Sequence, residues 1–555
     1  MTIAAPMTAP LRWALPVAVI GALAAATPAV ADVGAMMAGA VASLEDGREP
    51  SLRDSGRAAA EAYRARRFRP IWLERDAVGP RARALRDLLA DAGSDGLPAR
   101  RYLAAVDSRW DERSDAGRAL LDVALTRAFL AFALDLWYGR PPPKVVDDSL
   151  TRRHEKLDVA RLLAAVASAD PAALQRQVAE LRPPHQQYQR LRAALARFAG
   201  APIEEDAVAE GPVLRPGMRD ARVGNLRERL GEEGDWTPAE ILAFAAPNDR
   251  EGGDWAVYDD GIARAVRRFQ RRHQLADDGR VGERTLWAIN MDDRERRRLV
   301  IENMEKLRWL PRRLEPNHIV VNMAGFDLTL FQGGVEKLTM KVVVGQPFRQ
   351  TPIMRSDITD LVLNPPWNVP DSIARADLAP KQRSDPRYLP GRGIRALAGW
   401  GADAMEVPLN TVDFARMSSP FGGVRLRQDP GPKNALGRIK FNMQNQHAIY
   451  LHDTPDRHLF DRSARNFSSG CIRLEKPMAL AEILLADQPG WPVERVQGAI
   501  DSLETRSVPL RRRWPVYLVY QTAWVDDAGT LVFRDDIYGL RPAPAGSPPQ
   551  QSSAR

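Results

Sequence analysis

The hydrophobic period of the chain changes from helical to strand-like about halfway along. From residue 45 to about 200, Ala, Leu and Arg recur at a spacing of 3.6 residues, which predicts helices with a buried face. "LTRAFLAFALDLWYGRPPPK" is the clearest stretch. Leu125, Phe129, Phe132 and Leu136 predict one apolar stripe, and Gly139 with the prolines behind it predicts the helix end. No chemistry stands out here, and a helical scaffold is the expectation. Residues 200 to 218, "GAPIEEDAVAEGPVLRPGMRD" with the residues around them, read as a linker. Val223, Leu226 and Leu230 then mark one helix, and Ile262, Val266 and Phe269 a second. The Asp-Gly turn in "ADDGRVGERTLWAIN" precedes a third, so residues 210–291 predict a three-helix bundle. A bridging helix from about Asp292 to Trp309 follows.

Beyond residue 314 the period falls to two. "HIVVNMAGFDLTLFQGGVEKLTMKVVVG" alternates apolar with polar residues and is cut by Gly-Gly, the pattern of a hairpin. "ITDLVLNPPWNVP" and "HAIYLHDTP" read as strands ending at proline. The expectation is a multidomain α+β chain whose last domain, 314–540, is β-rich. Residues 371–430 interrupt it with a Pro, Gly and Arg-rich stretch of weak strand character, and so long a connection predicts a lid over a site. The tail 541–555, "RPAPAGSPPQQSSAR", predicts disorder.

Composition narrows the function. A chain of 555 residues should divide into two to four domains. The formal charge of +8, from 79 basic and 71 acidic residues, is too small and too dispersed for a nucleic-acid binder. The Arg clusters "RRFQRRH" and "RERRR" lie at helical spacing among acids and read as solvated faces. Near the N-terminus, Arg12 precedes "WALPVAVIGALAAA", and Ala29 and Ala31 obey the small-residue rule for cleavage. The apolar run is short for a permanent span. Residues 1–31 therefore predict a signal peptide and export, with an uncleaved N-terminal anchor as the other reading.

Export makes the single cysteine, Cys471, conspicuous. An unpaired thiol in an oxidising compartment is a liability. Either it is buried and inert or it is a nucleophile. A nucleophilic thiol needs a neighbour to take its proton, and histidine suits that task. His452 ends the strand "AIYL", and "SSGC" returns after the loop "DRHLFDRSARNF", so the two can meet. His458 lies within that loop and reads as solvated, whereas His447 on the approach reads either way. Gly470 permits a tight turn that would aim the amides of Ser469, Gly470 and Cys471 at a developing oxyanion. Arg473 is a candidate for holding the loop or an anionic substrate group. No metal-ligand spacing is present, and no cofactor is expected. The base precedes the nucleophile in the chain, which argues against a papain-type fold.

"IYLHDTP…LF…R..SSGCIRLEKP" resembles the signature of L,D-transpeptidases with the YkuD-type catalytic domain, in particular the large periplasmic subgroup. "FRPIWL" and "DLWYGRPPP" resemble that subgroup's scaffold, and residues 210–291 resemble a helical peptidoglycan-binding module, with a non-binding spacer as the alternative. "NPPWNVPDSIA", "RQDPGPKNALGRIKF" and "VYLVYQTAWVDDAGTLVFRDDIYG" resemble the catalytic domain with its capping insertion. The general family motif has His where Ser469 stands, and the large subgroup resembles this chain in having Ser. The resemblance implies Cys471 as nucleophile, His452 as base, and Tyr450 at the oxyanion pocket, although Tyr450 reads equally as core. What orients His452, a backbone carbonyl near Asp453 or the Asp453 side chain, stays open. It further implies 3-3 cross-linking of peptidoglycan stem peptides, acylation by carbapenems, and periplasmic partners among glycan and other cell-wall synthases. The competing expectations are L,D-carboxypeptidase or endopeptidase activity and a non-catalytic wall-binding scaffold.

Overall fold

Buried backbone polar groups must find partners, and in the scaffold one side chain supplies three of them. Asp122 accepts the N–H groups of Ile71, Trp72 and Leu73 at 3.0, 2.8 and 3.0 Å and the Tyr63 hydroxyl at 2.6 Å. That carboxylate pins the extended "PIWL" segment against the helix Asp115–Tyr138. Ser114 caps this helix by accepting from the Gly117 N–H, and Gly139 at φ +72° ends it. Leu125, Phe129, Phe132 and Leu136 are buried as expected, but 16 of the 24 residues are buried. The helix is the axis of the scaffold rather than a one-faced surface helix.

The structure is a computed structural model. It describes residues 33–541 except 47–49, 75–76, 199–206, 246–253, 274, 402 and 416–422. The expected signal peptide and all of the expected tail but Arg541 lie outside the described residues. Among the described residues no helix is long and apolar enough to cross a membrane.

Among its described residues the second module holds four helices where three were expected: Arg222–Glu232, Pro238–Ala245, Asp260–Arg272 and Glu283–Ile289. Only short apolar matches marked the extra one. Val223, Leu226, Leu230, Ile262, Val266 and Phe269 form its core. Gln270 explains the Asp-Gly turn: its Nε2 donates to the Arg280 carbonyl at 2.8 Å, and its Oε1 accepts the Gly279 N–H at 2.9 Å.

The helix Asp293–Arg308 leads onward, and its Asn303 accepts the Thr522 N–H at 2.8 Å inside the β-rich domain. That domain is built on strands β1 (His318–Asn322), β2 (Asp327–Gln332), β3 (Val335–Gly345) and β4 (Met354–Leu363). The chain then leaves for β5 (Trp367–Asn368), β6 (Ile394–Ala398), β7 (Met405–Val407) and β8 (Val424–Gln428). It returns as β9 (Ile439–Met443), β10 (Leu451–His452), β11 (Asn466–Ser468), β12 (Ile472–Leu474) and β13 (Arg506–Val519). The main sheet has the order β11-β3-β12-β10-β9-β4-β13-β1-β2.

The segment expected as a capping or lid insertion, 371–430, has structure of its own. It folds as a four-stranded sheet, β5-β8-β6-β7, with short helices and its own core of Val369, Leu378, Leu389, Ile394, Ala396, Phe414 and Leu426. Its strands are short and its core small, so the hydrophobic period was weak in sequence. Hydrogen bonds at Asp147 tie the scaffold to the main sheet. The Asp147 N–H donates to the Ile353 carbonyl at 2.9 Å, and the Asp147 carboxylate meets His447 Nε2 at 2.8 Å.

Candidate active site

Strand register brings Cys471 and His452 onto one face. β10 runs parallel to β12, with Leu451 beside Ile472 and His452 beside Arg473. The Ile472 N–H donates to the Tyr450 carbonyl at 3.1 Å, which carries the register back so that Cys471 lies beside Tyr450. On its other side β10 is antiparallel to β9, with Leu451 opposite Phe441 and His452 opposite Lys440. Alternate side chains point to opposite faces. Leu451, Ile472 and Phe441 are fully buried in the core, so Tyr450, His452, Cys471, Arg473 and Lys440 share the other face. His452 and Cys471 are therefore diagonal neighbours on that face.

His452 is only 5% exposed. Its Nδ1 lies 2.5 Å from the Asp453 carbonyl oxygen, which can only accept, so Nδ1 carries the proton and Nε2 the lone pair. The orienting group is thus the backbone carbonyl. The Asp453 carboxylate instead accepts the Arg438 N–H at 2.8 Å. Burial, followed by the nearby Arg473 charge, pushes the imidazole pKa down to about 3, and the ring is neutral.

Cys471 is half-buried. Burial raises its thiol above the ordinary value; the Tyr450 N–H and hydroxyl and the charges of Lys440 and Arg473 act in the opposite direction. Neutral thiol and neutral imidazole are therefore the resting pair. Ala448, held at φ +54°, places its carbonyl oxygen 3.8 Å from Sγ. The Tyr450 hydroxyl also bonds the sulfur, and burial keeps this phenol protonated far above its ordinary range. Tyr450 is half-buried and its hydroxyl touches the thiol.

The turn before Cys471 requires glycine. Gly470 has φ +114°, and a Cβ there would lie 3.3 Å from Ile449 Cδ1. Ser468 Oγ donates to the Cys471 carbonyl at 2.6 Å, and Thr351 Oγ1 donates to the Gly470 carbonyl at 2.7 Å. The Gly470 N–H donates to Ser468 Oγ at 3.1 Å, which corrects the expected oxyanion role of that amide. It is engaged in holding the turn, whereas the turn's own bonds leave out the Ser469 and Cys471 amides. Ser469 Oγ accepts from Arg349 Nη1 at 2.9 Å. Arg473 donates to Asp456 Oδ2 at 2.8 Å, so it secures the loop between His452 and Cys471. His447 and His458 are exposed and off this face.

Three residues at the site escaped the sequence reading. Lys440 places Nζ 4.2 Å from the Tyr450 ring centroid. The alternation Ile439, Phe441, Met443 against Lys440 and Asn442 could have marked it. Thr351 and Arg349 lie about 120 residues before the turn they touch, and no local signal points to them. Among the described residues no group of three His, Cys, Asp or Glu side chains is placed to hold a metal.

Comparison with known proteins defines the class. The family model of the L,D-transpeptidase catalytic domain matches residues 316–496. Residues 316–496 are thus similar to the L,D-transpeptidase catalytic domain. A scaffold-domain model matches residues 57–195, and a model described as a "putative peptidoglycan binding domain" matches 244–289. The chain therefore has the domain arrangement of the large L,D-transpeptidases with a scaffold and a peptidoglycan-binding module. A Haemophilus influenzae protein named "Putative L,D-transpeptidase" is 40% identical over 237 residues, 43% of this chain and 47% of that protein. The match thus spans about half the length of this relative. A solved LD transpeptidase in complex with imipenem is similar at 13% identity and TM-score 0.17, covering 37% of this chain and 59% of that one. An Enterococcus faecium L,D-transpeptidase mutant is similar at 10% identity and TM-score 0.15, covering 51% and 89%.

Proposed function

We propose that the protein is an L,D-transpeptidase that joins peptidoglycan stem peptides through a thioester on Cys471. One observation carries this reading: in a domain of this family, the chain's lone thiol shares a polar sheet face with a neutral imidazole whose free nitrogen is Nε2. Because both groups rest uncharged, the proton moves as attack occurs. Nε2 of His452 takes the thiol proton while sulfur attacks the carbonyl of the third stem residue, meso-diaminopimelate in the family. The Cys471 amide, with the Tyr450 hydroxyl, faces the oxyanion. Collapse breaks the peptide bond, and D-alanine leaves with the proton from His452. The side-chain amine of a second stem then gives its proton to His452, attacks the thioester and forms a 3-3 link; the sulfur leaves and recovers the proton. Acyl energy is conserved in the thioester, so the exchange needs no external energy source.

The inserted subdomain supports transfer over hydrolysis by restricting water at the face. Residues 244–289 would hold glycan nearby, the N-terminal signal would deliver the protein to the periplasm, and carbapenems would acylate the same sulfur. Wild type and Cys471→Ala incubated with disaccharide-tetrapeptide test the reading. Wild type should give 3-3 dimers and free D-alanine, and the variant neither, a loss on the order of 10⁴-fold. Free D-alanine without dimers would make it a carboxypeptidase, and equal products from both proteins would remove Cys471 from the chemistry.

A further inference from the structure

We propose that Arg349 reads the free terminal carboxylate of the donor stem, and that Asp377 of the inserted subdomain occupies Arg349 when no donor is bound. This rests on the acyl-transfer reading of Cys471 and goes beyond it by naming what selects the donor.

The loop carrying Arg349 is strapped to the nucleophile turn on both sides. The Gln346 N–H donates to the Ser468 carbonyl at 3.0 Å, and Gln346 Nε2 to the Phe467 carbonyl at 3.0 Å. Beyond Arg349, Thr351 Oγ1 donates to the Gly470 carbonyl at 2.7 Å. The Arg349 side chain itself donates to Ser469 Oγ at 2.9 Å, two residues before the sulfur. Its guanidinium is therefore a fixed feature of the mouth of the site.

Its carboxylate partner comes from elsewhere. Nη1 and Nη2 of Arg349 both reach Asp377, the latter at 3.2 Å from Oδ1. Asp377 lies in Ala374–Leu378, a π-helical segment of the subdomain that has its own core. Such segments recur at functional sites. The carboxylate is 39% exposed and the guanidinium 23%, so the pair is wet and its net strength small. A substrate carboxylate can exchange for it at little cost.

The chemistry of the donor supplies that carboxylate at the right place. In a stem ending in D-alanine, the terminal carboxylate is only three bonds from the carbonyl that sulfur attacks. A cation that recognises it must stand beside the nucleophile turn, as Arg349 does. Guanidinium matches carboxylate through two parallel N–H donors. Arg473 also pairs with a carboxylate, Asp456, and Lys440 lies over the Tyr450 ring; Arg349 differs from both in donating to Ser469 Oγ on the nucleophile turn itself. Phe348, 76% exposed, has its ring centroid 5.8 Å from the Arg349 guanidinium carbon and offers apolar contact to the peptide.

The test compares two donors on the full-length protein: a tetrapeptide stem with a free terminal carboxylate and the same stem ending in D-alaninamide. Wild type should show a kcat/KM about tenfold or more higher for the acid. Arg349→Gln should erase most of that preference, chiefly through KM, and Arg349→Lys should keep part of it. Asp377→Asn should raise kcat/KM for the acid donor several-fold, because the competing carboxylate is gone. Equal handling of both donors by wild type, or full discrimination retained in Arg349→Gln, would overturn the assignment of Arg349. An unchanged rate for Asp377→Asn would overturn the role of Asp377. If neither donor acylates wild type while iodoacetamide still alkylates Cys471, the acyl-transfer reading has failed instead. If Arg349→Gln loses its near-ultraviolet dichroism, Arg349→Lys and Asp377→Asn decide the outcome.

Discussion

The two faces of the main sheet at β9, β10 and β12 are built by the same strands and serve opposite ends. On one face Leu451, Ile472, Phe441 and Leu361 are sealed at 0% exposure in the largest core of the molecule. On the other, one residue along each strand, Tyr450, His452, Cys471, Arg473 and Lys440 converge. A one-residue register slip would exchange the two sets. The apolar face thus fixes the register on which the chemistry depends, and stability and reactivity are separable by parity along the strand.

Substitutions should split along that parity. His452→Gln, on the polar face, should slow dimer formation about 10²–10⁴-fold with thermal stability near wild type. A drop in activity of less than about tenfold would mean that another group takes the proton. Leu451→Ala, its neighbour on the sealed face, should cost about 2–4 kcal/mol in urea unfolding while the folded fraction still reacts. If its Cys471 loses reactivity in proportion to His452→Gln, the faces are not independent. The smallest effect concerns pH. Burial holds the thiol above its ordinary value and His452 near 3, so no imidazolium–thiolate pair forms at rest. Iodoacetamide alkylation of free enzyme should therefore climb about tenfold per pH unit to above pH 9. A plateau between pH 4 and 8 would show a preformed ion pair. The same depressed imidazole predicts a stability trend. Above pH 6.5 both folded and unfolded forms are neutral; as pH falls from 6.5 towards 3 only the unfolded chain gains the proton, so wild type should lose stability faster than His452→Gln.

What could be read from sequence was what is local. Period-two alternation and Gly-Gly marked the hairpin of β2 and β3, and the lone Cys471 after Gly470 with His452 on the preceding strand marked the chemistry. The oxyanion donors were only partly legible, because the Gly470 amide is claimed by Ser468 Oγ, a neighbour whose hydroxyl has several equally plausible targets in sequence. Lys440 was visible in the alternation of β9 but needed the β9–β10 register to acquire meaning. Arg349 and Thr351 lie about 120 residues before the turn they touch, and Asp377 28 residues after Arg349, where no periodicity applies. The inserted subdomain was underestimated for a similar reason. Its core takes Ile394 and Ala396 from β6, Leu426 from β8 and the rest from short helices and loops, elements too short to establish a period.

The central claim is a covalent one, that sulfur 471 carries the stem peptide between donor and acceptor. Intact-protein mass spectrometry after rapid mixing with disaccharide-tetrapeptide measures it directly. The account predicts a transient adduct with the mass of the donor less D-alanine, mapped to Cys471, discharged on adding an acceptor stem and absent from Cys471→Ala. Dimers accumulating with no adduct on Cys471 at any time, or an adduct mapped to another residue, would contradict it.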